Sequence, residues 1–364
     1  MLKISIIAGA RPNFIKVAPI IHSIIRAKSQ EKKIDYRLVH TGQHYDRMMS
    51  QTFFEELNIP EPDVNLECGG GTQAEQTAAI MVAFEKELTA NPSDLVLVVG
   101  DVNSTMACSI VAKKLHTKVA HVEAGIRSFD LSMPEEINRM VTDCIADYFF
   151  TTSDWAGENL KKTGIPDDRI FWVGNVMIDT LLANRHRFTP PSFWTEKKIK
   201  PKEYFLMTLH RPGNVDEAEK LKELILEITS SVRKLPIIFP IHPRTARIYR
   251  SLQVQAKNLY LVEPLGYLEF NFLAQNAKAV ITDSGGITEE TTVMGVPCFT
   301  LRNNTERPET VELGTNELVG THPGAIKKYL DLLFAGKWKR GAIPEKWDGQ
   351  TADRIVDHLI NLNG

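Results

Sequence analysis

No segment of this 364-residue chain approaches the length of a membrane span, and no long run of one charge stands out. Lys and Arg number 43 against 45 Asp and Glu, a formal net charge of −2, so nothing electrostatic favours a nucleic-acid partner. Cysteine is scarce. Cys68, Cys108, Cys144 and Cys298 are scattered, with no CxxC pair and no histidine at metal-ligand spacing. That favours reduced cytosolic thiols over a disulfide framework or a zinc site. The opening residues, Met1 to Gly9, form too short an apolar run for a secretory leader and lack its flanks, so a cytoplasmic location is expected. A GxGxxG dinucleotide fingerprint is missing after the first apolar run, and no short repeat or low-complexity segment occurs.

What is present is ordinary in bulk and regular in order. Hydrophobic residues make up 43% and charged residues 24%, as in a soluble globular protein, and the length suggests two domains. Short apolar, β-branched runs recur at helix-length intervals. In the first half they are Ile4–Ala8, Tyr36–Thr41, Leu95–Gly100, Val119–Glu123 and Tyr148–Thr152. In the second half they are Tyr204–Thr208, Ile237–Ile241, Leu259–Val262, Ala279–Thr282 and Cys298–Leu301. Continuous hydrophobicity suits strands buried on both faces, and the alternation with helices implies parallel βαβ units. Two such series predict an α/β protein with two Rossmann-like doubly wound domains. The expected division is 1–175 and 176–349; the helix at 350–364 could pack on either domain, a return to the first being one of the two arrangements. The Pro-containing stretch Phe188–Lys202 is the candidate connection.

Ligands of open parallel sheets bind beyond the carboxyl ends of the strands, so the polar residues ending these runs are the candidates for chemistry. After the first run, Arg11 and Lys16 open a helix where they can neutralise an anion. Asp101 follows Gly100, and Glu123 ends the run containing His121. A carboxylate among apolar strand residues is costly unless used or paired. In Pro134-Glu135-Glu136-Ile137-Asn138-Arg139 the proline suits a first helical position, and Glu135 and Arg139 stand one turn apart as a candidate pair. Ile137, Met140, Val141, Cys144 and Ile145 have the spacing of that helix's buried face. Several carboxylates in one rim would supply an acid and a base at neutral pH.

The second half ends two runs in His plus Arg: His210-Arg211 and His242-Pro243-Arg244. A titrating imidazole beside a permanent cation suits a diphosphate. Ser284-Gly285-Gly286 then leads into Glu289 and Glu290. Glycines at a helix start expose amides to an anion, and carboxylates just beyond can accept from sugar hydroxyls. Glu289 has no role beyond a helix-end charge in this reading. Asn303 to Glu309, containing Arg307, follows the last run.

Taken in order, Gly9–Lys16, Thr41-Gly42-Gln43-His44, Gly100-Asp101, His121–Arg127, Pro134–Arg139, His210-Arg211, His242-Pro243, Ser284–Glu290 and Thr305–Glu309 closely resemble the non-hydrolysing UDP-N-acetylglucosamine 2-epimerases. The resemblance spans nearly the whole chain. It implies two domains facing a central cleft, as in one glycosyltransferase class (GT-B-like), a UDP-sugar as substrate, no cofactor and a homodimer. It also implies interconversion of UDP-GlcNAc and UDP-ManNAc by loss of UDP to a glycal and its re-addition, in support of surface polysaccharide. By resemblance Asp101, Glu123 and Glu135 are acid/base groups, with His210 at the diphosphate or assisting proton transfer. Arg11, Lys16 and Arg139 hold sugar and phosphates. Arg211, His242, Ser284, Gly285 and Gly286 cradle the diphosphate, Glu290 takes the ribose hydroxyls and Arg307 faces the cleft. Gln43 and His44 match a regulatory motif, but the downstream Gly69-Gly70-Gly71-Thr72 departs from its usual continuation. Pro212-Gly213-Asn214 likewise departs from the Arg-Glu-Asn that follows His-Arg in many members. The alternative substrate is therefore UDP-2,3-diacetamido-2,3-dideoxyglucuronate, and the more distant alternative is a glycosyltransferase of the same fold.

Overall fold

The computed structural model describes residues 1–42, 54–241, 243–252, 254, 256–322 and 324–362. The chain divides into two compact units, Met1–Ala183 with Glu345–Gly364, and Asn184–Pro344.

In the first unit the described strands form one parallel sheet in the order β3-β2-β1-β4-β5-β6-β7. These are β1 Leu2–Ala8, β2 Ile34–His40, β3 Val64–Asn65, β4 Leu95–Val99, β5 Lys118–Val122, β6 Tyr148–Thr151 and β7 Ile170–Trp172. Every residue of β4 is buried, as a strand covered by helices on both faces requires. The order reverses between β1 and β4, so the chain leaves those neighbours in opposite directions and opens a crevice at their carboxyl ends.

The second unit repeats the plan. Its described sheet runs β10-β9-β8-β11-β12-β13, all parallel, with its reversal between β8 and β11. The strands are β8 Phe205–Thr208, β9 Ile237–Pro240, β10 Leu259–Val262, β11 Ala279–Thr282, β12 Cys298–Thr300 and β13 Asn316–Leu318. Phe205, Phe239, Ile281 and Phe299 lie in the core on one side, and Leu206, Ile238 and Val280 on the other. Trp194, from the Pro-containing stretch, packs edge-on against Tyr204 and Phe272 of this unit.

All ten apolar runs are strands, and the α/β fold of two doubly wound sheets is as expected. The additional strands β3, β7 and β13 are two or three residues long, too short for a periodic signal. One helix reverses its expected orientation. In Pro134–Ile145 the buried residues are Glu136, Asn138, Arg139, Thr142 and Asp143, while Ile137 and Met140 are about two-fifths exposed and Cys144 is exposed. The period was legible, but the polar face turned inward because the sheet end supplies hydrogen-bond partners for it. No helix among the described residues is long and apolar enough to cross a membrane.

The last helix, Thr351–Asn361, lies against Arg11–Ser29, where Ser23 Oγ donates to Asp353 Oδ1 at 2.5 Å. Its start is held by the buried Asp179, which accepts from the Ala352 amide at 2.7 Å. Burial raises the Asp179 carboxyl from 3.8 to about 6 against the opposing pull of Ala352 and Thr351. The folded state therefore holds this proton more tightly than the unfolded chain. The associated stability is present below pH about 4 and is lost as pH rises through about 6. Asp179→Asn keeps the acceptor without the charge, and should gain on the order of 1–2 kcal/mol at pH 8 and almost nothing at pH 4. Urea unfolding at the two pH values checks both the sign and the window.

Candidate active site

At the switch point of the first sheet, the residues after β1, β4 and β5 converge. Asn13 ties the loop after β1: its Oδ1 accepts from the Gly9 and Ala10 amides at 3.2 and 3.0 Å, and its Nδ2 donates to the Val99 carbonyl. This seats the start of the Arg11–Ser29 helix beside β4. Lys16, on that helix, is buried and donates to Glu123 Oε2 at 2.5 Å. Glu123 is 3% exposed and has φ +68°, a left-handed conformation that non-glycine residues rarely adopt. Such strain persists only where surrounding contacts impose it, and it clusters at functional sites.

Gly100 makes room for that ion pair. A Cβ there would lie 3.2 Å from Lys16 Nζ and 3.3 Å from Glu123 Oε2, and its φ is +73°. The next residue, Asp101, accepts from Arg139 Nη2 at 2.6 Å and Nε at 3.1 Å. The same guanidinium gives its Nη1 to Glu136 at 2.7 Å. Thus Arg139 pairs with Asp101 and Glu136, where Glu135 was the partner anticipated, and Glu135 is half-buried. Glu136 is itself capped by the Ser128 and Phe129 amides. The rim consists of carboxylates interleaved with cations, each compensated by a particular neighbour.

A buried network braces this rim from below. Asp143 accepts from His121 Nδ1 at 2.7 Å, the Gly125 amide at 3.1 Å and Arg127 Nη1 at 2.6 Å. Burial would raise the Asp143 carboxyl, but His121 and Arg127 outweigh it and hold it below its usual range. His121 Nε2 donates to the Gly100 carbonyl at 2.9 Å, which links the loops bearing Asp101 and Glu123.

At the second switch point, β8 ends in His210-Arg211 and β11 ends in Asp283-Ser284. Asp283 is fully buried and accepts from the His210 and Arg211 amides, from Asn214 Nδ2 and from His210 Nδ1. Ser284 stands at the N-cap position of the helix Gly285–Met294 without a side-chain capping bond, and the first amides of that helix lack intrahelical partners by geometry. Ser284, Gly285 and Gly286 are half-buried. Beside Gly285 stands the pair Arg302–Glu306, with two contacts of 2.8 Å, and Arg211 Nη2 lies 3.9 Å from Glu306. Helix amides plus Arg211 and Arg302 make a cradle suited to a diphosphate.

The two glutamates of that helix are both interior. Glu289 pairs with Arg307, so it is a buried ion-pair member and not a surface helix-end charge. Glu290 Oε1 accepts from Tyr267 Oη at 2.9 Å and faces Asn271 Nδ2 at 3.4 Å. Burial raises Glu290 to about 7, and Glu309 is raised to about 7 by the same cause. Gln43, His44 and His242 lie outside the described residues.

Asp283, Asn13 and the His121–Asp143–Arg127 network were not singled out in the sequence. Asp283 carried a usable signal, since it ends an apolar run as Asp101 does. Asn13 and Asp143 carried none, because they act on chain segments distant in sequence.

The fold is α/β, with buried, ion-paired carboxylates after the strands of one sheet and helix amides beside arginines after the strands of the other. The family model described as UDP-N-acetylglucosamine 2-epimerase matches residues 26–360, and the chain belongs to that family. It is 43% identical to the UDP-N-acetylglucosamine 2-epimerase of Methanocaldococcus jannaschii, over 98% of each chain. It is 39% identical to the UDP-2,3-diacetamido-2,3-dideoxy-D-glucuronate 2-epimerase of Pseudomonas aeruginosa, over 99% of this chain and all of that one. A solved M. jannaschii UDP-GlcNAc 2-epimerase, in complex with UDP-GlcNAc and UDP, superposes with a TM-score of 0.88, covering 99% of this chain and all of that one at 42% identity.

The loop after Glu123 leaves no space for a side chain at Gly125, where φ is +77° and a Cβ would meet the Ala156 carbonyl at 2.1 Å. Gly125→Ala should destabilise the first unit by more than about 1 kcal/mol, read as a lowered urea midpoint.

Proposed function

We propose that the protein interconverts UDP-GlcNAc and UDP-ManNAc without a cofactor. The observation that carries this reading is the pairing of a compensated carboxylate rim, Asp101 and Glu123, with a His-Arg-Gly-Gly cradle on the second sheet. Removing the C2 proton needs a positioned base, and the departing diphosphate needs cations and amides. A carboxylate of the set Asp101, Glu123 and Glu135 takes the C2 proton. The C–H electron pair forms the C1–C2 double bond, and the C1–O pair leaves with UDP. Reprotonation on the opposite face and return of UDP to C1 complete the epimerisation through 2-acetamidoglucal. Lys16 and Arg139 hold Glu123 and Asp101 in place, Arg11 and Arg139 hold sugar and phosphates, and Arg211, His242, Ser284, Gly285 and Gly286 hold the diphosphate. His210 assists at the diphosphate, Glu290 takes the ribose, and Arg307 serves through Glu289. Gln43 and His44 are the candidates for regulation by a second UDP-sugar.

The M. jannaschii relative supports UDP-GlcNAc as substrate. The 39% identity to the P. aeruginosa enzyme supports the diacetamido-glucuronate as the second reading. Incubation with UDP-GlcNAc in D2O should yield UDP-ManNAc and deuterium at C2. Turnover of the diacetamido-uronate alone would replace the substrate and leave the reaction standing. Asp101→Asn and Glu123→Gln should each lower C2 exchange by roughly 10²-fold or more while UDP still binds. Exchange at the wild-type rate in either variant would remove its assigned role.

We also propose a homodimer. The outward apolar residues Ile137 and Met140 lie on a helix next to Asn103–Lys114, which shows the half-buried Met106 and Ile110, and that helix adjoins Gln73–Ala90 with its exposed Val82. An exposed apolar surface spread over neighbouring helices suits an interface, and a twofold axis lets two copies cover it mutually. Light scattering should give a dimer for the wild type and a monomer for the double variant Ile137→Glu with Met140→Glu.

A further inference from the structure

Among the described residues of the second-sheet cradle, His210 is the histidine whose ring faces a buried carboxylate. Its Nδ1 lies 2.9 Å from Asp283 Oδ1, and its side chain is 44% exposed while that of Asp283 is 0% exposed. The Asp283 carboxyl is surrounded by donors: the His210 amide at 3.1 Å, the Arg211 amide at 2.9 Å and Asn214 Nδ2 at 3.1 Å. Burial alone would push this acid up, but the His210 ring and these donors hold it below the usual carboxylate range. It is therefore an anion at neutral pH. An anion facing Nδ1 requires a proton on that nitrogen, so the neutral ring carries its lone pair on Nε2. The amide bonds to His210 and Arg211 fix the backbone on which the ring is mounted. Arg211 Nε in turn donates to the Asp283 carbonyl at 3.2 Å. One residue thus sets the position of the ring, its tautomer and the adjacent guanidinium.

We propose that Asp283 is a positioning residue that holds His210 as the Nδ1–H tautomer, so that Nε2 is the nitrogen that serves the departing diphosphate. This rests on the epimerase reading above. Before the C1–O bond breaks, the Nε2 lone pair takes a proton from water, and the Asp283 carboxylate faces the resulting imidazolium. As the bond breaks, its electron pair passes to the diphosphate oxygen and Nε2–H donates its proton to that oxygen. When the C1–O bond re-forms on the other face, Nε2 takes the proton back, and the ring ends as it began.

Asp283→Asn separates this role from mere loop capping. Asparagine keeps a carbonyl oxygen for the backbone amides, but its NH2 group facing the ring donates to Nδ1, so the ring cannot carry protons on both nitrogens and Nε2–H is left as the far weaker acid of a neutral imidazole. kcat for UDP-GlcNAc should fall by roughly 10²–10⁴-fold, with KM and the affinity for UDP changed less than about threefold. In a His210→Gln background the same substitution should cost almost nothing further, since residues acting as a unit are not additive. Nitrogen-15 NMR of histidine-labelled wild-type protein, with the His210 signal identified by its loss in His210→Gln, should show a protonated Nδ1 and an unprotonated Nε2 in the neutral ring. The wild-type spectrum needs no variant to fold and no substrate to turn over. An Nε2–H tautomer there, or a full additional loss in the double variant, overturns the proposal. Absence of C2 exchange by wild type with the Nδ1–H spectrum intact overturns the epimerase reading instead.

Discussion

Carboxylates buried at the ends of parallel strands are the constraint on which the rest of this molecule depends. A carboxylate removed from water costs several kcal/mol unless donors surround it. Glu123 and Asp283 follow strands directly, and Glu136 and Asp143 come from the helix Pro134–Ile145; each is at most 3% exposed. Each is met by particular donors: Lys16 for Glu123, His121 and Arg127 for Asp143, Arg139 for Glu136, and two amides with Asn214 for Asp283. Meeting them determines which helix face turns inward, which residues must be glycine and where the backbone is strained.

The inverted helix Pro134–Ile145 follows from this constraint. Its polar face supplies Arg139 to Asp101, Asn138 to the Asp101 carbonyl and Asp143 to His121, so that face must lie against the sheet end. The apolar face is then left outward, although the spacing of its apolar residues alone would have turned it inward. One demand thus accounts both for the ion-paired carboxylate rim and for the outward apolar residues Ile137 and Met140. In the second unit the corresponding demand is made by Asp283. Satisfying it places His210 and Arg211 beside the amides that open the helix Gly285–Met294.

Much of the fold was legible because its signal is local. A strand covered on both faces must be apolar throughout, and runs such as Leu95–Val99 and Ala279–Thr282 announce themselves. The candidate residues at their ends were legible for the same reason, since Asp101, Glu123 and His210 interrupt such runs. The strands β3, β7 and β13 were not, because two or three residues carry no period. Nor was the partner of Arg139. Helical spacing offered Glu135 one turn away, and the fold brought Asp101 from another strand end.

The sequence by itself determined ten of the thirteen described strands, their parallel α/β arrangement and the polar residues that end them. Those follow from hydrophobic patterning and from the chemistry of single residues. Only the tertiary structure decided which charge meets which: Lys16 with Glu123 across 107 positions, and His210 with Asp283 across 73. It also decided that Glu289 and Glu290, identical neighbours in sequence, face an arginine and a tyrosine respectively. The physical reason is that an ion pair or hydrogen bond depends on distance in space, and the sheet order, not the residue order, sets that distance.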